Sequence, residues 1–400
     1  MTLENIGPFQ NVSISFPSKR DIKGRVPVTI ITGENGSGKS IILDAIRSIF
    51  LGPKAIERDI TASNNFLINC VFEHNNEIIN IQSKSKAEAY LGTGIDTNRH
   101  DINFMYTGII KPDNIPDWVT MYWSSNIPKG SYRIENLVSP EPEKYLVDSL
   151  SADQASAEIT ETICYFDYLK SSDDEKEKHL GEILFSAIKK IIRNSLNNGE
   201  LKYVSRKTMS PIIVQNGQEL TLDKLSAGNL LLIQRMVLLM SKMYAVHILN
   251  NKPTSELFNT QGILLIDEPE NHLHPKWQKT LLESVQELFP YLQIILTTHS
   301  PFIVASVKNS TIFVCHTSEG QTYVLDETDE YSNSPVDEIL LTPVFNTQPF
   351  GPEISRLIID RKIAIKENNF IKKNEIESKL MALNPEQFAF INIEEKLSNL

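Results

Sequence analysis

Gly33-Glu34-Asn35-Gly36-Ser37-Gly38-Lys39-Ser40 satisfies the pattern G-x-x-x-x-G-K-[ST] at every position. The chemistry of such a loop is phosphate binding. Its glycines let the backbone turn tightly and aim N–H groups at phosphate oxygens. Lys39 reaches the β- and γ-phosphates, the Ser40 hydroxyl ligates Mg²⁺, and the N-terminus of the following helix favours negative charge. Gly33, Asn35, Gly36, Ser37, Gly38, Lys39 and Ser40 are therefore the expected nucleotide-binding residues, with ATP and Mg²⁺ as ligands.

Two acids close the apolar run Gly262 to Glu268 (GILLIDE). A buried strand there brings Asp267 beside the metal, so Ser40 and Asp267 form the expected metal pair. Glu268, one residue on, can orient and deprotonate the attacking water, because phosphoryl transfer needs positioning and charge neutralisation more than covalent help. A second apolar run, Leu292 to Leu296, ends in Thr297-Thr298-His299-Ser300. A histidine at such a strand end can hydrogen-bond the γ-phosphate. Lys39, Glu268 and His299 are the expected catalytic groups. Leu225-Ser226-Ala227-Gly228-Asn229 precedes a long apolar segment, Leu230 to Val246. A small-residue turn feeding a helix N-terminus is a second anion site, although alone it also reads as a plain helix N-cap. The 33–40 loop already holds the phosphates from one face, so Ser226 and Gly228 are best used on the nucleotide of a second copy. His272 and His274 lack the further Cys or His cluster that would complete a zinc site.

These residues need a scaffold of alternating strands and helices. Val26 to Thr32 is β-branched and apolar, then meets a glycine-rich turn, as a buried strand does. Ser40 to Phe50 puts Ile42, Ala45, Ile46 and Ile49 on one helix face. Phe66–Phe72 and Glu77–Gln82 flank turn residues His74, Asn75 and Asn76, and Val119–Trp123 is another strand. Pro112–Asp117 and Pro140–Glu143 read as loops. From about 150 to 200 the pattern is helical and charged, then compact α/β sequence returns at Leu201. The predicted class is α/β: a P-loop core sheet, an antiparallel β subdomain and a helical insert.

With the order loop, LSAGN, DE and His on the page, a resemblance is plain. GENGSGKS, LSAGN, LLIDEPENHLHP and TTHSP resemble the Walker A, signature, Walker B with D-loop, and switch-histidine motifs of the ABC-ATPase superfamily. G-x-N-G-S-G-K-S followed by LDAI resembles the SMC/RecF-like branch. DEPENHLHPKWQ is similar to OLD-type and phage-defence ATPases such as those of Septu, PARIS and some retrons. The resemblance covers about residues 1–315 and implies an ATPase that closes two nucleotides in a homodimer or higher homo-oligomer. It further implies an anti-phage sensor that controls a separate nuclease or toxin effector; the alternatives are a RecF-like DNA-repair ATPase and a transporter nucleotide-binding subunit. The chain departs from the family at Ala227 and Asn229, where L-S-G-G-Q is commonest. It also shows no glutamine of Q-loop type after the Val119 strand, where Tyr122-Trp123-Ser124-Ser125 stands.

Composition bounds the rest. A formal net charge of −11 over 400 residues repels nucleic acid at long range, so such contact would need a local basic patch, the best being Lys19, Arg20, Lys23 and Arg25. Cys70, Cys164 and Cys315 are scattered, as suits a reducing cytoplasm. No window has the ~18 uncharged apolar residues of a membrane span, and MTLENIGPFQ does not read as a signal peptide. Residues 316–400 are expected to be mostly helical, with about Val336 to Leu400 a candidate docking element for the effector.

Overall fold

Strands buried on both faces read as unbroken apolar runs, and the runs ending at Asp267 and Thr297 become inner strands of a largely parallel sheet. The computed structural model describes residues 1–17, 25–52, 56–61, 65–85, 95–99, 110, 115–125, 132–134, 136–139, 141–147, 149–150, 157–196, 198–271, 273–345, 351–367 and 369–388. The strands among them are β1 (Thr2–Ile6), β2 (Phe9–Ser13), β3 (Thr29–Gly33), β4 (Asn65–His74), β5 (Glu77–Ser85), β6 (Ile95–Thr97), β7 (Val119–Trp123), β8 (Gly199–Ser205), β9 (Ser210–Gln215), β10 (Gln218–Leu220), β11 (Gly262–Asp267), β12 (Leu292–Thr297), β13 (Thr311–Ser318) and β14 (Gln321–Asp326). The longer helices are α1 (Lys39–Leu51), α2 (Ala157–Leu169), α3 (Glu175–Ser195), α4 (Ala227–Leu249), α5 (Pro275–Leu288), α6 (Pro352–Lys366) and α7 (Phe370–Leu383).

The main sheet has the order β14-β13-β3-β12-β11-β7. All neighbours are parallel except β14, which folds back on β13. Ile30, Leu264, Ile266, Ile294 and Leu296 are fully buried, so the core runs along this sheet. Ile31 pairs with Thr297, and Thr297 with Asp267. The carboxyl ends of β3, β12 and β11 therefore lie level, at the edge where open α/β sheets bind ligands. α1 follows β3 directly after the 33–38 loop, with Ile42, Ala45, Ile46 and Ile49 buried as the spacing predicts.

The second sheet is antiparallel, in the order β2-β1-β4-β5-β6. Asn75 and Asn76 sit at φ 51° and 64° between β4 and β5, the left-handed pair that a two-residue hairpin turn requires. The expected helical insert is present as α2 and α3. Asp174, in the charged stretch, caps α3 by accepting from the Lys176 and Glu177 N–H groups. Pro142, expected in a loop, instead opens a short helix, Pro142–Val147, since proline is tolerated in a first helical turn. α4 is buried on every side from Leu231 to His247, its polar side chains Gln234, Arg235, Ser241, Lys242 and His247 included. It is long and apolar enough to cross a membrane by composition alone, yet 94% of that window is buried inside the protein.

The first compact unit runs Met1–Ile339 and the second Leu340–Leu400. The first thus continues past residue 315, where the sequence reading ends the ATPase region, because β13 extends to Ser318 and β14 completes its hairpin. The second unit, taken by itself, has α6 and α7 packed on a small core. Ile376, Leu380 and Phe388 form its centre, against Ile354, Leu357, Ile358 and Met381.

Candidate nucleotide-binding site

β3 delivers the 33–40 loop to the carboxyl edge of the sheet. Gly38 stands at φ 91° as the residue before α1, and no side chain caps that helix. Its first-turn N–H groups are of the kind that bind anions. Lys39 lies back across the loop, its Nζ donating to the carbonyls of Gly33 at 3.0 Å and Glu34 at 2.8 Å. Burial lowers its pKa, while the charges facing it, Glu268, Glu270 and Asp267 among them, act the other way. Asn35 and Gly36 are exposed and Ser37 is buried beneath them.

Asp267, at the end of β11, is where three elements meet. Its Oδ1 accepts from the Ser40 hydroxyl at 2.8 Å and from the Thr297 hydroxyl, and its Oδ2 from the Tyr122 hydroxyl at 3.4 Å. A serine hydroxyl 2.8 Å from a buried carboxylate is a hard-oxygen donor set, which fits Mg²⁺ held together with substrate phosphates. Tyr122 stands where the sequence leaves the Q-loop position unassigned, and the Arg47 guanidinium lies 4.1 Å from its ring centre. Its approach to Asp267 spans 145 residues of chain and has no local sequence signal.

Glu268 takes a left-handed backbone conformation, φ 47°. Strain of this kind is concentrated at functional sites. Its N–H donates to the Thr297 carbonyl at 3.1 Å, and Asn271 Nδ2 donates to its Oε2 at 2.9 Å. The other oxygen, Oε1, lies 3.7 Å from His299 Nε2. Burial, and then the Lys39 charge, lower the His299 pKa, while the Glu268 and Asp267 charges oppose that shift. The structure thus brings Lys39, Ser40, Asp267, Glu268 and His299 to one edge. It also engages Glu270, two residues past Glu268, which the sequence reading passes over.

Ser226 and Gly228 lie elsewhere. Ser226 precedes α4 and accepts from the Asn229 N–H at 3.4 Å. A cavity of about 340 Å³ opens beside it, lined by Gln215, Ser226, Gly228, Asn229, Leu273, His274 and Trp277. No residue of the 33–40 loop is among these. His274 itself caps α5, its side chain accepting from the Lys276 N–H. His272 and the basic residues Lys19, Arg20 and Lys23 fall outside the described residues.

The family described as "P-loop containing region of AAA domain" matches residues 3–65, and "AAA domain, putative AbiEii toxin, Type IV TA system" matches residues 124–305. The retron Vc95 probable ATPase of Vibrio cholerae serotype O1 biovar El Tor is 25% identical over 357 residues, 71% of this chain and 68% of that protein. The Septu protein PtuA of Bacillus mycoides (strain KBAB4) is 28% identical over 125 residues, 30% of this chain but only 18% of that protein. Among solved structures, the SMC head domain from Thermotoga maritima covers 81% of this chain and 97% of its own, at 16% identity and a TM-score of 0.44; the sheet order above, rather than that likeness, establishes the fold. Matched P-loop family models on both the loop and the motif-bearing half, with a retron probable ATPase and a Septu protein among its relatives, make this chain one of the P-loop ATPase kind.

Proposed function

We propose that this chain hydrolyses ATP between two copies of itself and uses that cycle to hold and release a separate effector, a nuclease or toxin, in anti-phage defence. The observation that carries the hydrolytic reading is the Glu268 arrangement. A carboxylate on a strained backbone lies 3.7 Å from a histidine, next to the Lys39 loop and the Ser40–Asp267 pair. Lys39 binds the β- and γ-phosphates. Ser40 and Asp267 would hold Mg²⁺, which when bound would neutralise charge on the phosphate oxygens. Glu268 takes a proton from water as the water oxygen bonds to the γ-phosphorus and the bond to the departing ADP oxygen breaks. His299 donates to a γ-phosphate oxygen.

The closure of two copies is supported by the separation of Ser226 and Gly228 from the loop: their cavity has room for a ligand and no phosphate cradle of its own. The effector is inferred from the relatives, a retron probable ATPase and a Septu protein. Glu268→Gln tests the hydrolytic core. It preserves shape and cannot take a proton, so kcat should fall by about 10²-fold or more, with ATP still bound and the protein accumulating as an ATP-locked dimer in light scattering. Turnover equal to the parent would place the base elsewhere.

A further inference from the structure

Glu270 has no part in the proton transfer proposed above, yet its side chain is committed to the loop that carries His299. The backbone leaves β11 through Glu268 and Pro269, and the Glu270 carboxylate turns toward the end of β12. Its Oε2 accepts from the Thr298 hydroxyl at 2.8 Å and its Oε1 accepts from the His299 backbone N–H. Burial raises its pKa, and these same hydrogen bonds oppose that rise by favouring the carboxylate.

The sheet fixes this loop only as far as Thr298, whose N–H donates to the Ile31 carbonyl and whose carbonyl accepts from the Thr32 hydroxyl. One residue on, the His299 N–H goes to Glu270 instead of to a neighbouring strand. A second tie lies just beyond. Gln278 of α5 donates to the Leu273 carbonyl at 2.9 Å and accepts from the Ser300 hydroxyl at 2.6 Å. That hydroxyl also accepts from the Phe302 N–H at 3.1 Å. The segments after β11 and after β12 are therefore bound to each other on both sides of the histidine. Each carries one of the two groups, Glu268 and His299, that lie 3.7 Å apart.

We propose that Glu270 is a positioning residue for the reaction: by holding the His299 backbone it keeps the imidazole aimed past Glu268, so that base and histidine move as one unit. This rests on the hydrolytic reading of the same site. The group acts through His299. A misplacement of about 1 Å at a reacting group can cost about 10²-fold in rate, so the loss of such an anchor should appear in kcat and leave the cradle for ATP in place.

Turnover, ATP affinity by calorimetry, and the His299 imidazole resonance in histidine-labelled full-length protein test this together. Glu270→Ala should lower kcat by about 10- to 100-fold with ATP affinity held within about twofold, and Glu270→Gln, which keeps an acceptor for the His299 N–H, should recover part of the loss. In a His299→Ala background Glu270→Ala should cost less than about twofold more, since residues that act through one another are not additive. Losses that multiply would overturn the proposal and leave Glu270 a merely structural group. The resonance, assigned by its loss in His299→Ala, should shift in Glu270→Ala and return toward the parent in Glu270→Gln. An unmoved resonance overturns the proposal whether or not the parent turns over ATP. A parent that binds ATP without hydrolysing it sinks the hydrolytic reading instead, and the resonance then decides the positioning role alone. Should Glu270→Ala fail to fold, Glu270→Gln against the parent carries the same measurements, with a smaller shift and a kcat deficit that again vanishes in the His299→Ala background.

Discussion

α1 and α4 both begin at a turn of small residues, and the two turns treat their helix ends differently. Gly38, before α1, has φ 91° and no side chain with which to cap. Ser226, before α4, is extended at φ −61° and ψ 145°, and its hydroxyl accepts the Asn229 N–H. A capping residue could not replace Gly38, because a Cβ there would lie 2.7 Å from Pro8 Cγ and 2.9 Å from Phe9 Cζ. The start of α1 is thus kept open by the packing of β2 and its approach, and it looks to a ligand for the bonds its own chain withholds. The start of α4 satisfies itself until something displaces the serine. The contrast suits one permanent phosphate cradle and one contact used only when a second copy arrives.

Lys39→Ala should break the first half of that contrast with the largest effect. Removing one partner of a buried charge pair costs about 2–5 kcal/mol, so ATP affinity should fall by about 30-fold to more than 10³-fold. Lys39 Nζ gives its hydrogen bonds to carbonyls of its own loop, Gly33 and Glu34, so the fold should survive. Calorimetry with circular dichroism checks both. Unchanged affinity would mean that the open helix end is not the cradle.

Ser226→Arg addresses the second half. It places a long cation where the cavity beside α4 opens, a cavity that no residue of the 33–40 loop lines. ATP binding to the monomer should stay within about twofold, while dimer closure fails and turnover falls by about tenfold or more, as expected when a completing group is blocked. Mixing Ser226→Arg with excess Lys39→Ala should restore some turnover, because such a pair can assemble one intact composite site. A fully active Ser226→Arg monomer would show that the two helix ends do not work together.

Much of this site is legible in the residues, and for a physical reason. The cradle, the acids and the histidine each follow or end an apolar run of strand length, so local pattern alone puts Lys39, Asp267, Glu268 and His299 at or just past the ends of strands. The hairpin at Asn75–Asn76 is legible in the same way, from residues that tolerate positive φ. What escapes is contact between elements. Tyr122 reaches Asp267 only because β7 and β11 are neighbours, and Glu270 reaches His299 only because β11 and β12 are. Neither adjacency leaves a trace in spacing along the chain. The extent of the first unit escapes for a related reason: the pattern QTYVLD is short and half exposed, and only its pairing with β13 makes it a strand of the main sheet.

The smallest effect sharpens the contrast most. Ser226→Ala removes the cap of α4, and loss of an N-cap hydroxyl costs about 0.5–2 kcal/mol. At 3.4 Å the hydrogen bond to the Asn229 N–H is long, which places this cap at the lower end, near ~0.5 kcal/mol. In the free protein the deficit should appear locally, as faster amide hydrogen exchange at Ala227, Gly228 and Asn229 with little change elsewhere. In the ATP-locked dimer of a Glu268→Gln background, phosphate oxygens of the second copy's nucleotide would take the place of the missing hydroxyl. The exchange difference between proteins with and without the Ser226→Ala change should then shrink toward zero. A parallel Gly320→Ala protein gives a reference away from the phosphate loop. Gly320, between β13 and β14, has nothing within 4 Å of where a Cβ would stand but lies at φ 79°, so its cost is backbone strain alone, about 1 kcal/mol, and ATP should not erase it. If the Ser226→Ala difference persists undiminished in the locked dimer, the start of α4 never meets a nucleotide, and its serine is a cap and nothing more.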